Sequence, residues 1–396
     1  MTLKFDPARL ARLDKHFGRY VDDGRLAGYQ LAVTQRGELA HESCVGYRDR
    51  EAGLPVEPDT LWRIASMTKP IVSVAAMTLW EEGAFELTDP ISKWIPSFED
   101  VRVYKAGVGA GIITVPAVEP IRVWHILSHS SGLTAGFLYN HVVDGLYRAA
   151  GYELGAPPHP SIAECCDDWA RLPLLFQPGT AWGYGVSTDV LGRLVEIWSG
   201  QTLDVAVANR VCDPLAMVDT VWYTDAAREP RMAAMYMHGP DGLAHRIPGE
   251  QIVRERPAIL SGGGGLGSTV ADYLRFTHML LNGGALDGAQ ILSPRTLKLM
   301  TSNHLPGDLG QCSTGGFAET NFDGVGFGLG FAMQLDPIKN HSIANPGEFY
   351  WGGMYSTAFW VDPVDEVCCV FMTQLAPSSA HPIRPQLRQL VNSSLV

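Results

Sequence analysis

No run of about 18 consecutive apolar residues occurs anywhere in this sequence, so it offers no candidate membrane-spanning helix. The N-terminus, Met1-Thr2-Leu3-Lys4-Phe5-Asp6-Pro7-Ala8-Arg9-Leu10, carries charges where a secretory peptide needs an uninterrupted apolar stretch. Cys-x-x-Cys is missing, and the seven cysteines are odd in number with two adjacent pairs, Cys165-Cys166 and Cys368-Cys369, which is a poor disulfide framework. A reducing, cytoplasmic home is expected. Positive charge is also scarce, with 30 Lys and Arg against 42 Asp and Glu and a net charge of −12. Nucleic acids and anionic membranes both require a basic face, so neither is expected as a partner, and a small neutral substrate fits better.

Several reaction signatures are absent as well. The nearest approach to the Gly-x-Ser-x-Gly elbow of an α/β-hydrolase, Gly185-Val186-Ser187-Thr188-Asp189, lacks the closing glycine. His125 and His129 are four apart but sit in no His-Glu-x-x-His frame, which favours structural roles over metal binding. Gly262-Gly263-Gly264-Gly265 lacks the flanking pattern of a phosphate loop and reads as a tight backbone passage.

What is present is a globular chain of 396 residues, 46% apolar and 18% charged, suited to one large domain over 1–396 with an inserted subdomain. Leu10, Leu13, Phe17 and Val21 mark an amphipathic helix over 8–24, followed by a strand at Tyr29 to Thr34 and a turn at Arg36-Gly37. Strand-like stretches return at Gly328 to Gln334, Ser356 to Val361 and Val367 to Thr373, and a helix over 382–393 closes the chain. Strands and flanking helices thus come from about 1–80 and 320–396, with a helical, loop-rich region over about 81–319. The expected class is α+β, with an antiparallel sheet flanked by helices and an inserted, mainly helical subdomain.

The most informative segment is Ser66-Met67-Thr68-Lys69, at the head of the apolar run Ile71 to Trp80. On a helix, residues three apart share a face, so the Lys69 amine can reach the Ser66 hydroxyl. A serine needs a group to take its proton, and an amine does so only when it is uncharged. Burial in an apolar helix and the positive end of the helix dipole both work against a charged amine here. Pro70 is tolerable in a first turn, whose amides lack intrahelical acceptors. A capping serine beside a surface lysine would satisfy the same spacing. Of the seven lysines, however, this alone has a serine three residues before it.

Two further sites accompany it. Tyr184 follows Gln177-Pro178-Gly179-Thr180 on a loop leading into the helical pattern Val190 to Trp198, where a phenol can be aimed into a cleft, although a core tyrosine would look alike. Tyr350-Trp351-Gly352-Gly353-Met354-Tyr355 precedes a strand. Adjacent glycines at a strand edge allow a substrate to approach free amides, or form a bulge.

Together with Leu61-Trp62-Arg63-Ile64-Ala65, Ile126 to Leu133, Gly263 to Thr269 and Gly326-Phe327-Gly328-Leu329-Gly330, these segments resemble the serine β-lactamase and penicillin-binding-protein superfamily. Within it they are most similar to the family VIII carboxylesterases that look like class C β-lactamases. The resemblance covers most of the chain and implies the β-lactamase/transpeptidase-like fold, no cofactor and no metal. It implies Ser66 as nucleophile, Lys69 as its activating amine, Tyr184 as second acid/base, and the amides of Ser66 and Met354 as an oxyanion hole. Which of Lys69 and Tyr184 takes the first proton stays open, since a coupled pair titrates as a unit.

Two departures narrow the expectation. Class C enzymes carry an asparagine two residues after the tyrosine, where this chain has Val186, and Lys-Thr-Gly where it has Trp351-Gly352-Gly353. Loss of two polar binders and gain of an indole suits a neutral ester, with Phe137 as a further pocket wall. The expectation is therefore a serine hydrolase of short-chain carboxylic esters. An acyltransferase, or a hydrolase of β-lactams or D-amino-acid amides, would use the same site, and a non-catalytic ligand-binding relative would have no need of all three side chains.

Overall fold

The computed structural model describes residues 4–153, 160–248, 255–315 and 321–396. Helix α1 (Pro7–Asp22) opens with Asp6 as N-cap, its Oδ1 accepting from the Ala8 amide at 2.9 Å, and Pro7 in the first turn. It buries Leu10, Leu13, Phe17 and Tyr20. Strands β1 (Gly28–Gln35) and β2 (Glu38–Asp49) form a hairpin whose two turn residues, Arg36 and Gly37, have φ of 56° and 77°. Consecutive left-handed residues give the turn that matches strand twist. After β3 (Leu54–Pro55) the chain leaves the sheet and returns with β4 (Val325–Phe327), β5 (Ala332–Gln334), β6 (Phe349–Gly352), β7 (Ala358–Asp362) and β8 (Val367–Thr373). The order is β4-β5-β6-β7-β8-β1-β2-β3, antiparallel at every pairing, so the late strands join the early hairpin through β1 and β8.

Side chains alternate across a strand, so β1 and β8 serve two cores. Leu31, Val33, Cys369 and Phe371 pack under α1 and α5 (Ile383–Asn392), whereas Ala32, Cys368, Val370 and Met372 face the other way. Both faces are covered, which explains why Val367 to Met372 is apolar without interruption and why two adjacent cysteines are both buried. All seven cysteines are free thiols. Helix α4 (Val270–Leu281) covers the second face, where Tyr273 packs on Phe359 with ring centres 5.0 Å apart and His278 meets the Thr34 hydroxyl at 2.9 Å. Truncating Phe17, which is fully buried in the first core, to alanine would cost roughly 3–5 kcal/mol.

Beyond α4 lies α2 (Thr68–Glu81), with every residue from Thr68 to Leu79 buried, as its all-round apolar surface requires. It packs against α3 (Ser187–Ser199). The start of α2 is tied to the sheet-covering layer by Tyr273, whose hydroxyl donates to the Met67 carbonyl at 2.9 Å, and by the Leu266 amide, which donates to Thr68 Oγ1 at 3.1 Å. No helix among the described residues is long and apolar enough to cross a membrane.

The stretch expected as one strand from Gly328 to Gln334 instead holds a turn that leads into β5. Gly330 has φ of 97°, and a Cβ on Gly328 would lie 2.0 Å from the Met300 carbonyl oxygen, so the chain bends here against its neighbours. Ser356 and Thr357 also fall outside their strand, because Ser356 has φ of 65° and ends a turn.

Candidate active site

Ser66 lies in the three-residue 3₁₀ turn Ala65–Met67 that leads into α2. Ala65 has φ of 45°, a left-handed conformation that costs a residue with a Cβ on the order of 1 kcal/mol or more. Surrounding contacts hold it there. The Ile64 amide donates to the Leu266 carbonyl at 3.0 Å, and Gly353 presses from the end of β6 so closely that a Cβ on it would lie 2.4 Å from the Ile64 oxygen.

One turn on, Lys69 is 5% exposed, and its Nζ lies 3.2 Å from Ser66 Oγ while donating to the Gly263 carbonyl at 2.5 Å. On the other side of Ser66, the Tyr184 hydroxyl lies 2.6 Å from Oγ. Tyr184 is delivered by a loop locked between two segments. Trp182 donates its amide to Cys312 at 2.8 Å, Gly183 to His129 at 2.9 Å and Val186 to Thr134 at 3.3 Å. A Cβ on Gly185 would sit 2.5 Å from the Thr134 backbone, so only glycine permits that approach. The phenol ring stacks on His129 at 5.1 Å and packs against Trp351 at 5.8 Å, and Lys69 Nζ lies 4.5 Å from its centre. Amine, serine hydroxyl and phenol thus form a continuous path along which a proton can pass.

The backbone offers two donors beside this path. The Ser66 amide stands in a first turn with no intrahelical acceptor, and the Met354 amide follows β6; neither finds an acceptor among the described residues. The adjacent glycines, expected as a place for substrate approach, are also accounted for by packing. A Cβ on Gly352 would lie 2.5 Å from Arg384 Cζ, and Arg384 Nη2 donates to the Gly353 carbonyl at 2.6 Å.

Trp351, 6% exposed, meets the aromatic cluster of Tyr184 and Phe327. Val186 takes the N-cap position of α3 without a capping side-chain hydrogen bond and packs partly against the core. Phe137 is 39% exposed, and its neighbour Leu138 instead lines the cavity beside Tyr184, with Thr134, Leu175 and Trp182. A helix turn over Gly136–Leu138 explains the swap, since it points successive side chains in different directions.

Both histidines are buried. His125 Nδ1 accepts the Arg122 amide at 3.0 Å, and burial, with the Arg122 charge, pushes the imidazole down to about 4. Burial also holds His129 well below the ordinary imidazole range, and the Lys69 amine adds to it whenever it is protonated. No three His, Cys, Asp or Glu side chains cluster as a metal site would need, among the described residues. The Gly263 carbonyl and Arg384 were missed by sequence reasoning. A backbone oxygen carries no sequence signal, and only the glycine run hinted that backbone passes closely there.

The sequence model of the family described as Beta-lactamase matches residues 13–393. A Mycobacterium tuberculosis protein, Rv1367c, is 37% identical over 90% of this chain and 88% of its own length. Esterase EstB of Burkholderia gladioli is 31% identical over 98% of this chain and 97% of its own. Among solved structures, EstCE1, described as a hydrolase with promiscuous acyltransferase activity, superposes with a TM-score of 0.82 at 25% identity, covering 98% of this chain and 99% of its own. The fold and the resemblance read from the motifs agree with these matches, and the chain belongs to the β-lactamase family.

Proposed function

We propose that this protein is a carboxylesterase that cleaves short-chain esters through an acyl-enzyme on Ser66. The observation that carries the reading is the position of Ser66 Oγ, 3.2 Å from Lys69 Nζ and 2.6 Å from Tyr184 Oη. In this mechanism the amine and phenol, acting as a unit, withdraw the Ser66 proton as Oγ attacks the ester carbonyl. The amides of Ser66 and Met354 stabilise the oxyanion that forms. The phenol then returns a proton to the departing alkoxide, and in the second half it takes one from the water that releases the acid. Thr68 to Leu79, all buried, keep the base end of this path out of bulk water.

Relatives named as an esterase and as a hydrolase with acyltransferase activity support ester hydrolysis or acyl transfer as the broader class. Acyl transfer differs only in the second acceptor, an alcohol in place of water. Incubation with p-nitrophenyl acetate and butyrate tests the reading. Steady nitrophenol release that is lost in Ser66→Ala supports it, and a folded wild-type protein that releases none sinks it.

A further inference from the structure

The glycine run at 262–265 lies directly on the first turn of α3. A Cβ on Gly262 would be 2.5 Å from the Thr188 carbonyl oxygen, and one on Gly263 would be 2.5 Å from Asp189 Oδ2. On the far side, a Cβ on Gly265 would meet Trp222 at 2.5 Å. Close packing therefore demands glycine at 262 and 265, and a Cβ at 263 would push the Asp189 carboxylate aside. Glycine also gives that loop the largest backbone freedom to lose, so something must hold it in one conformation.

Two attachments do so. Trp222 Nε1 and the Gly265 amide both donate to the Ser261 carbonyl, at 2.9 and 3.2 Å. Asp189 Oδ1 accepts from the Ser261 hydroxyl at 2.7 Å and from the Gly263 amide at 3.0 Å. Gly263 is also the residue whose carbonyl receives Lys69 Nζ at 2.5 Å. A carboxylate in the first turn of a helix sits favourably toward the positive end of its dipole, which suits Asp189 for a fixed post.

We infer that Asp189 is a positioning residue, holding the Gly263 carbonyl where it fixes the direction of the Lys69 amine. The inference rests on the reading of Lys69 as the amine that activates Ser66. A neutral amine has two N–H bonds and one lone pair. With one N–H spent on Gly263, the nitrogen is held 3.2 Å from Ser66 Oγ with its lone pair left free to take the hydroxyl proton, and a long side chain with roughly 2 kcal/mol of rotamer entropy is held in one geometry. Asp189 is five residues after Tyr184 on the same segment. That short segment thus sets both partners of Ser66, the phenol directly and the amine through the glycine loop.

The test compares Asp189→Ala with Asp189→Asn, using p-nitrophenyl butyrate and the rate of Ser66 labelling by a nitrophenyl phosphonate, with thermal melts as the check on folding. A misplaced base typically costs about 10²-fold, so Asp189→Ala should lose about 10- to 100-fold in kcat and in labelling rate while KM stays within about 3-fold. Asparagine keeps an oxygen that accepts both hydrogen bonds and should restore most of the activity. Should Asp189→Ala fail to fold, Ser261→Ala takes its place, since it removes one of the two donors to Asp189 and should lower kcat by about 3- to 10-fold. A folded Asp189→Ala with kcat within about 3-fold of wild type overturns the inference. So does an equal loss in alanine and asparagine variants, which would assign the effect to charge, and so does an unaltered kcat in Ser261→Ala. Ser66→Ala and Lys69→Ala run alongside. Activity retained in either removes the underlying reading, whereas loss in both with a fully active Asp189→Ala removes only this inference.

Discussion

The guanidinium of Arg384 fills the volume that a side chain at position 352 would need, with Cζ 2.5 Å from where a Cβ on Gly352 would stand. Its Nη2 donates to the carbonyls of Gly353 and Thr357, at 2.6 and 3.2 Å. The Gly353 amide donates to the same Thr357 carbonyl at 3.0 Å, closing the turn that carries Met354. The glycine at position 352 is thereby explained by an arginine on the C-terminal helix, 32 residues later in the chain.

Gly352→Ala should therefore displace Arg384 and loosen that turn. Overpacking of this kind costs typically 1–3 kcal/mol, and a shifted oxyanion donor costs on the order of 10-fold or more in kcat. Melting temperature and kcat on nitrophenyl butyrate check the two effects separately. Wild-type values for both would show that Arg384 moves aside without consequence.

Removing Ser66 and the two side chains that meet it, one at a time, should test the proton path. Ser66→Ala should abolish ester hydrolysis without loss of fold, since deleting a partly buried hydroxyl opens no core cavity. Lys69→Ala and Tyr184→Phe should each cost on the order of 10²–10⁴ in rate, the usual loss for a general acid or base. Near-normal turnover in either variant would mean that the proton follows another route.

Parts of this arrangement were legible in the sequence for definite reasons. The apolar run after Lys69 marked a buried helix, and that helix and the turn leading into it bring Ser66 and Lys69 together. Arg36-Gly37 marked a turn after the strand at Tyr29 to Thr34, and the structure closes the β1–β2 hairpin there. The pairing of β1 with β8 was not legible, since it joins Leu31 to Phe371 across most of the chain and no local pattern encodes a partner that distant. Tyr184 could be reached only through the family resemblance, because a phenol on a loop looks the same whether it faces a core or a serine. The turn at Gly328 to Phe331 was read as strand because its glycines lie among apolar residues, and the Met300 carbonyl that forces the bend belongs to another part of the fold.

Stability should depend on Asp272 in a way that can be isolated. Its carboxylate is 5% exposed and accepts from the Asp219 amide at 2.7 Å and the Thr220 hydroxyl at 2.9 Å. Burial nevertheless pushes it up to about 6, the hydrogen bonds offsetting only part of the desolvation. Because the folded value lies above the unfolded one, the folded state binds the proton more tightly. The stability linked to it is full below the ordinary carboxylate value and is lost as pH rises through about 6. Asp272→Asn should then be more stable than wild type by about 1–2 kcal/mol at neutral pH, with the advantage vanishing near pH 4. Thermal melts of both proteins at the two pH values measure it, and a variant that is less stable at neutral pH would contradict the sign.

Selectivity between esters and β-lactams offers the most direct test of the proposed substrate. By the resemblance, Val186 stands where class C enzymes have an asparagine, and its side chain has no hydrogen bond to give a lactam amide. Trp351 stands where they have a lysine, and the indole is packed among Tyr184 and Phe327 with 6% exposure, so it offers no cation to a lactam carboxylate. Each lost hydrogen bond to a buried polar group costs about 1–3 kcal/mol, more for a charged one, so two losses amount to several kcal/mol. Short-chain aryl esters should accordingly be cleaved with kcat/KM at least ~10³ above that for penicillins. Nitrophenyl butyrate and benzylpenicillin measured side by side give the ratio, and a nitrophenyl phosphonate adduct located by peptide mapping should fall on Ser66. A penicillin that proves the better substrate would show that other groups replace the missing asparagine and lysine. A phosphonate on a different residue would remove Ser66 from the mechanism altogether.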